Sequence, residues 1–128
     1  MGEHGHVLSW FELPVTDMER AVKFYERVFD IKLMPMELGP AFKMAIFPGG
    51  QTVVGGALVW NEEFYEPSSS KGPLIYFDAN PDLQRFQDRI ADAGGEVMIE
   101  KREIGPDAGF MAVFKDTEGN RVALFSDN

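Results

Sequence analysis

Few residues in this chain combine chemistry with a telling position, and Glu12 comes first among them. It lies in Trp10-Phe11-Glu12-Leu13-Pro14-Val15, where strand alternation sets Phe11, Leu13 and Val15 on one face and Trp10, Glu12 and Pro14 on the other. Buried and unpaired, that carboxyl would have a raised pKa and could act as a general base; hydrogen-bonded to Arg or Lys, it would be a structural rim group. The stretch 73–79 repeats the pattern, with Leu74, Tyr76 and Asp78 sharing one face and Ile75, Phe77 and Ala79 the other. Glu12 and Asp78, if brought together, could hold Mg²⁺ or Mn²⁺, although an ion with so few protein ligands keeps several waters. His4 and His6 would share one face of an extended segment, but no third ligand stands near them, so they read as a terminal pair. The chain has no cysteine, which excludes thiolate metal sites and thiol catalysis.

These residues need elements to position them, and the elements come twice. The first half reads as a strand over 7–15, then a helix capped by Thr16 or Asp17 and running towards Asp30-Ile31. Its apolar stripe is Met18, Ala21 or Val22, Tyr25, and Val28 or Phe29. Three strands follow, at 31–38, 42–47 and 52–60, bounded by Gly39-Pro40 and Pro48-Gly49-Gly50. A polar linker over 61–72 leads to a second strand at 73–79. The second helix starts at Asn80-Pro81-Asp82, carries the stripe Leu83, Phe86 or Gln87, Ile90 and Ala93, and stops at Gly94-Gly95. Strands at 96–102, 109–114 and 121–125 complete the repeat, the last two joined by Asp116-Thr117-Glu118-Gly119-Asn120. Each half is therefore β-α-β-β-β: module one over about 6–60 and module two over 73–128, within a single domain. Met34, Met36, Met44, Met98 and Met111 suggest an adaptable interior, with gap-filling as the plainer role.

Composition narrows the function classes. A chain of 128 residues with 45% apolar content can bury a real core and is not disordered. A net charge of −9 without a basic patch argues against nucleic acid. No apolar run approaches the ~20 residues of a membrane span and no leader is read before Trp10, so a cytoplasmic protein is expected.

Three segments, 10–29, Ala91-Asp92-Ala93-Gly94-Gly95 and Phe114-Lys115-Asp116-Thr117-Glu118-Gly119-Asn120-Arg121, taken in that order on a half-chain repeat, resemble the vicinal oxygen chelate superfamily. Glyoxalase I, extradiol dioxygenases, and fosfomycin- and bleomycin-resistance proteins belong to it. The resemblance implies an α+β fold, two βαβββ modules forming a cup-shaped mixed sheet with helices outside, and a homodimer. It also implies a divalent metal held in the cup by His and Glu, one of them on the last strand. Counting back seven residues from the capping Asp17 puts the first-strand ligand place at Trp10. The fifth-strand place falls on or near Leu74, the last-strand place on Ala123, and the fourth-strand place within Gly56-Ala57-Leu58-Val59. None of these can bind a metal, so the expectation is a protein with no metal cofactor.

Trp10, Leu74, Tyr76, Ala123 and Phe125 are then expected to line a mostly apolar cup, with Glu12 orienting a cationic or hydrogen-bonding group. An aromatic residue on a sheet is more often core than cofactor box; here the opposite face already supplies the core. Asn120 and Arg121 are read as hairpin residues rather than anion ligands. The leading function is small-molecule binding without turnover. Two alternatives stay open: a lyase, isomerase or dioxygenase of the glyoxalase type, with a rearranged metal site or with Glu12 as base, and a domain whose cup is filled by its own side chains.

Overall fold

In the computed structural model residues 3, 5–49 and 53–128 are described, and His4, Gly50 and Thr52 lie outside them. The order is β1 (Trp10–Pro14), α1 (Met18–Phe29), β2 (Met34–Glu37), β3 (Lys43–Ile46), β4 (Gly55–Trp60), then β5 (Ile75–Asp78), α2 (Gln84–Ile90), β6 (Glu96–Glu103), β7 (Phe110–Lys115) and β8 (Arg121–Ser126). Two four-stranded mixed sheets result, ordered β1-β4-β3-β2 and β5-β8-β7-β6. In each, the first strand runs parallel to the last and the remaining pairs are antiparallel. A parallel pair needs a long crossover, and the helix with its two following strands provides it.

The first helix is set by its ends and its stripe. The Asp17 side chain accepts from the Arg20 backbone N–H at 3.0 Å, which satisfies one of the free donors of the first turn. Asp30 closes the helix in the left-handed region at φ 54° and donates its N–H to the Glu26 carbonyl. Ala21, Phe24, Tyr25 and Val28 are buried, at helical spacing. Phe24 is an addition to the expected stripe; its ring meets Phe114 of β7 at 5.9 Å. The second helix is shorter than expected. It starts at Gln84, whose N–H donates to Asp82 at 2.9 Å, and Leu83 stands at the N-cap with no capping side chain.

One core joins both helices to the inner faces of both sheets, with Leu13, Val15, Leu58, Ala79, Ala112, Phe114, Val122 and Leu124 among its members. The alternation read from the sequence holds in β1 and through β5 to the residue after it: Leu13 and Ala79 are buried while Trp10 and Tyr76 are exposed. Strand β2, expected over 31–38, is shorter because a residue before it serves another contact. Leu33, read as strand, is a buried core residue whose N–H donates to the Glu26 carboxylate at 2.9 Å. The methionines are less interior than expected, with Met34, Met36 and Met98 exposed and Met44 buried.

The β7–β8 loop does more than close a hairpin. Tyr25, fully buried on α1, donates to the Asp116 carboxylate at 2.7 Å. That carboxylate also accepts from the N–H groups of Glu118 and Asn120 at 2.8 Å each. The Asn120 amide donates to the Pro14 carbonyl at 2.7 Å. Glu118 accepts from the Thr16 and Asp17 N–H groups at 2.9 and 2.8 Å and from Arg20 Nε at 2.7 Å. A loop of the second module thus holds the end of β1 and the start of α1 in the first. Burial pushes the Glu118 carboxyl up, but Arg20 and the N–H groups of Asp17 and Thr16 outweigh it and bring the pKa to about 2. For Asp116 burial prevails over its hydrogen bonds, and its pKa is raised.

Candidate functional site

The sheets meet without hydrogen bonding: β1 and β5 are each the edge strand of their own sheet. They face one another through side chains, and the Phe11 ring stands edge-on to Phe77 at 5.4 Å. Where two unbonded edges diverge, space opens between them, and a pocket of about 660 Å³ lies there. Phe11, Phe29, Phe47, Phe77 and Phe86 form its floor and walls, with Leu8, Ile31, Val54 and Leu74 around them. Strand β5 contributes Ile75 and Phe77 from one face and Tyr76 and Asp78 from the other, as only an edge strand can. The volume falls in the range of small-molecule sites, and an apolar lining with a few polar groups is their usual character.

Two glycines make the space. A Cβ on Gly56 would lie 2.2 Å from the Phe11 ring, so the ring rests directly on the backbone of β4. A Cβ on Gly55 would lie 3.2 Å from the Trp10 ring, which covers that glycine from the other side. Trp10 therefore borders the pocket through Gly55 but is not part of its lining.

Part of the cup expected from the sequence, on the first sheet, is covered by the chain itself. On the outer face of the first sheet, Met44, Ala57 and Val59 are buried beneath Phe42, Ile46 and Tyr65. Tyr65 belongs to the stretch read as a polar linker. Its hydroxyl donates to Glu12 Oε1 in a short bond, and its ring stands edge-on to Phe42 at 5.8 Å. Trp10 Nε1 donates to Glu12 Oε2 at 3.1 Å. Glu12 is thus paired, to a phenol and an indole rather than to Arg or Lys, and the unpaired carboxyl of a general base is not what the fold presents. The bond to Glu12, with burial, raises the Tyr65 pKa.

The other expected cup residues are dispersed. Leu74 and Tyr76 line the seam pocket. Ala123, opposite Tyr76 in the β5–β8 register, is fully buried. Phe125 lines a separate hollow with Glu103, Asp107, Phe110 and Asp127. Glu12 lines a third, smaller hollow at the far end of the seam with Ser68, Lys71 and Arg121. In that hollow Arg121 Nη2 donates to the Gly72 carbonyl at 3.3 Å, and Asn120 does the fastening work already described.

The chain matches the family model described as Glyoxalase/Bleomycin resistance protein/Dioxygenase superfamily over residues 6–124. It belongs to that superfamily. A glyoxylase-like domain-containing protein of Didymella fabae is 34% identical over 125 residues, spanning 94% of this chain and 93% of that protein. CFP32 of Mycobacterium tuberculosis is 30% identical over 128 residues, with 94% of this chain matching 45% of the other. The fold superposes on glyoxalase I from Zea mays with a TM-score of 0.74 at 20% identity, covering 93% of this chain and 44% of that one. This chain thus spans about half the length of CFP32 and of the maize structure.

Members of the superfamily commonly hold a divalent metal in the cup, and most side chains at the places expected to bind one are not ligands here. Trp10 pairs with Gly55, Glu12 with Ala57 and Tyr76 with Ala123 across the parallel strand pairs. Glu12 is the one carboxylate among these six, with no imidazole beside it, and it is engaged by Tyr65 and Trp10. Asp78, its expected carboxylate partner, lines a different hollow. Among the described residues no three His, Cys, Asp or Glu side chains converge. None of the described helices is long and apolar enough to cross a membrane.

Tyr65 and the glycine pair are the site residues that sequence reasoning missed. An aromatic pair, Phe64-Tyr65, in a loop rich in Glu and Ser was the available signal for Tyr65. For the pocket it was Gly-Gly at the start of a strand, where close approach of another group is the usual reason.

Proposed function

We propose that this protein binds a small organic ligand in the seam pocket, without a metal and without turning it over. The observation that carries the reading is the pocket lining: five phenylalanines around a space of about 660 Å³, with Tyr76 and Asp78 the acid–base side chains among the described residues that line it. A flat aromatic or alicyclic molecule of up to two fused rings fits such walls, because offset and edge-on ring contacts favour it over a flexible chain. The Tyr65 cover on the outer face of the first sheet supports binding at the seam rather than in the cup.

A homodimer is part of the proposal. The support is that CFP32 and the maize structure carry about twice this length on one chain, so a second copy would supply the missing half.

The test is calorimetric titration with 2-naphthalenemethanol, run on the wild type and on Leu74→Trp. Leu74 stands on the pocket wall and is only half-buried, so a larger ring there fills the space without disturbing the core. Saturable one-site binding that Leu74→Trp weakens at least ten-fold supports the proposal. Heat independent of that substitution would place binding elsewhere.

A further inference from the structure

We infer that the seam pocket selects cationic aromatic ligands, with Asp78 as the counter-charge at its mouth. The inference rests on the reading of the pocket as a small-molecule site and adds the class of ligand.

Among the described residues Asp78 is the one charged side chain in the lining, and no Lys, Arg or His takes part. Its carboxylate is already oriented. Oδ1 accepts from the backbone N–H and the side-chain amide of Asn80 at 3.0 and 2.8 Å, and among the described residues no cation pairs with it. The remaining oxygen can take a donor without breaking either bond. Fixed beforehand, the group loses little side-chain freedom when it meets a ligand.

The rings that line the same pocket favour the same sign. Phe77 follows Tyr76 and precedes Asp78 on β5, and Phe11, Phe47 and Phe29 lie within 5.4, 5.3 and 4.9 Å of the Phe77 ring. Aromatic faces attract a cation and repel an anion, most strongly where water is partly excluded. The net charge of −9 adds a long-range field of the same direction. A carboxylate or phosphate would enter this pocket against Asp78, against the ring faces and against the overall field. A protonated amine or amidine on an aromatic body has its ring among the phenylalanines and its charge beside Asp78.

Three probes of one shape test this: 2-naphthylmethylamine, 2-naphthalenemethanol and 2-naphthoate, titrated by calorimetry near neutral pH. The amine is expected to bind about five-fold tighter than the alcohol, and the carboxylate more weakly than either. Asp78→Asn should bring the ratio of amine to alcohol affinity to about one; Asp78→Glu should keep most of the preference. Salt at about 0.5 M, where the screening length falls to ~4 Å, should shrink the amine's advantage and leave the alcohol's affinity in place. Alcohol binding with no gain for the amine, or a carboxylate that binds as well as the amine, overturns the cation preference and leaves the pocket standing. If none of the three binds, the pocket reading itself falls and this inference with it. Circular dichroism of both Asp78 variants separates these outcomes from misfolding, and the exposed position of Asp78 predicts native spectra.

Discussion

Replacing Glu118 with Gln tests the clasp that keeps the two modules in register, and hence the seam. The Glu118 side chain is fully buried and receives six hydrogen bonds, from Thr16 N–H and Oγ1, Asp17 N–H, Arg20 Nε and Nη2, and Thr117 Oγ1. Glutamine has the same shape but turns one acceptor into a donor that faces other donors. A carboxyl held at about 2 in the fold, against an ordinary 4.5, contributes at most about 3.4 kcal/mol at neutral pH. Arg20 stands half in water, which screens that ion pair, so the expected loss is about 2 kcal/mol. For a domain of this size that lowers Tm by about 6–10 °C.

The pH dependence follows from the sign of each shift. The Glu118 pKa is depressed by folding, so its contribution is complete above pH 4.5 and is lost as pH falls towards 2. The Asp116 pKa is raised by folding, so protonating it favours the folded state and works in the opposite direction. Urea unfolding of the wild type and Glu118→Gln from pH 7 to pH 2.5 reads both terms. The gap between them should be widest at neutral pH and close through the acid range. A gap below about 0.5 kcal/mol at pH 7, or one that does not vary with pH, would refute the reasoning.

Two further substitutions probe the walls. Gly56→Ala puts a methyl group 2.2 Å from the Phe11 ring and should destabilise by about 1–3 kcal/mol while weakening ligand binding, because Phe11 has to move into the pocket; unchanged affinity would show that Phe11 is not a wall. Tyr65→Ala should uncover Met44, Ala57 and Val59 and cost about 2 kcal/mol, with new binding of a hydrophobic dye; unchanged dye binding would mean that Tyr65 is not the plug of the cup.

The two-fold β-α-β-β-β order was legible because it is carried by local signals. Alternation in 10–15 and the cap at Asp17 each act over a few residues, and the structure follows them. What was hidden depends on partners distant in sequence. Phe24 is buried by Phe114, and Glu118 by the start of α1, some 100 residues earlier in the chain. Tyr65 looked like linker because its partner, Glu12, is on another element. The expected cup residues had the right faces, since Trp10, Glu12 and Tyr76 do lie opposite the core. Alternation alone could not say that one sheet's outer face would be covered by its own loop. Nor could it place an opening between two edge strands, which depends on how the sheets meet.

The central claim is that ligand enters the seam and not the cup. Backbone amide shifts in a ¹⁵N-labelled sample titrated with 2-naphthylmethylamine test it most directly. The account predicts saturating changes concentrated at Phe11, Gly55, Gly56 and residues 74–78, with little at Ala57, Val59 and Ala123. Changes centred on Ala57, Ala123 and Tyr65, with the seam silent, would contradict it.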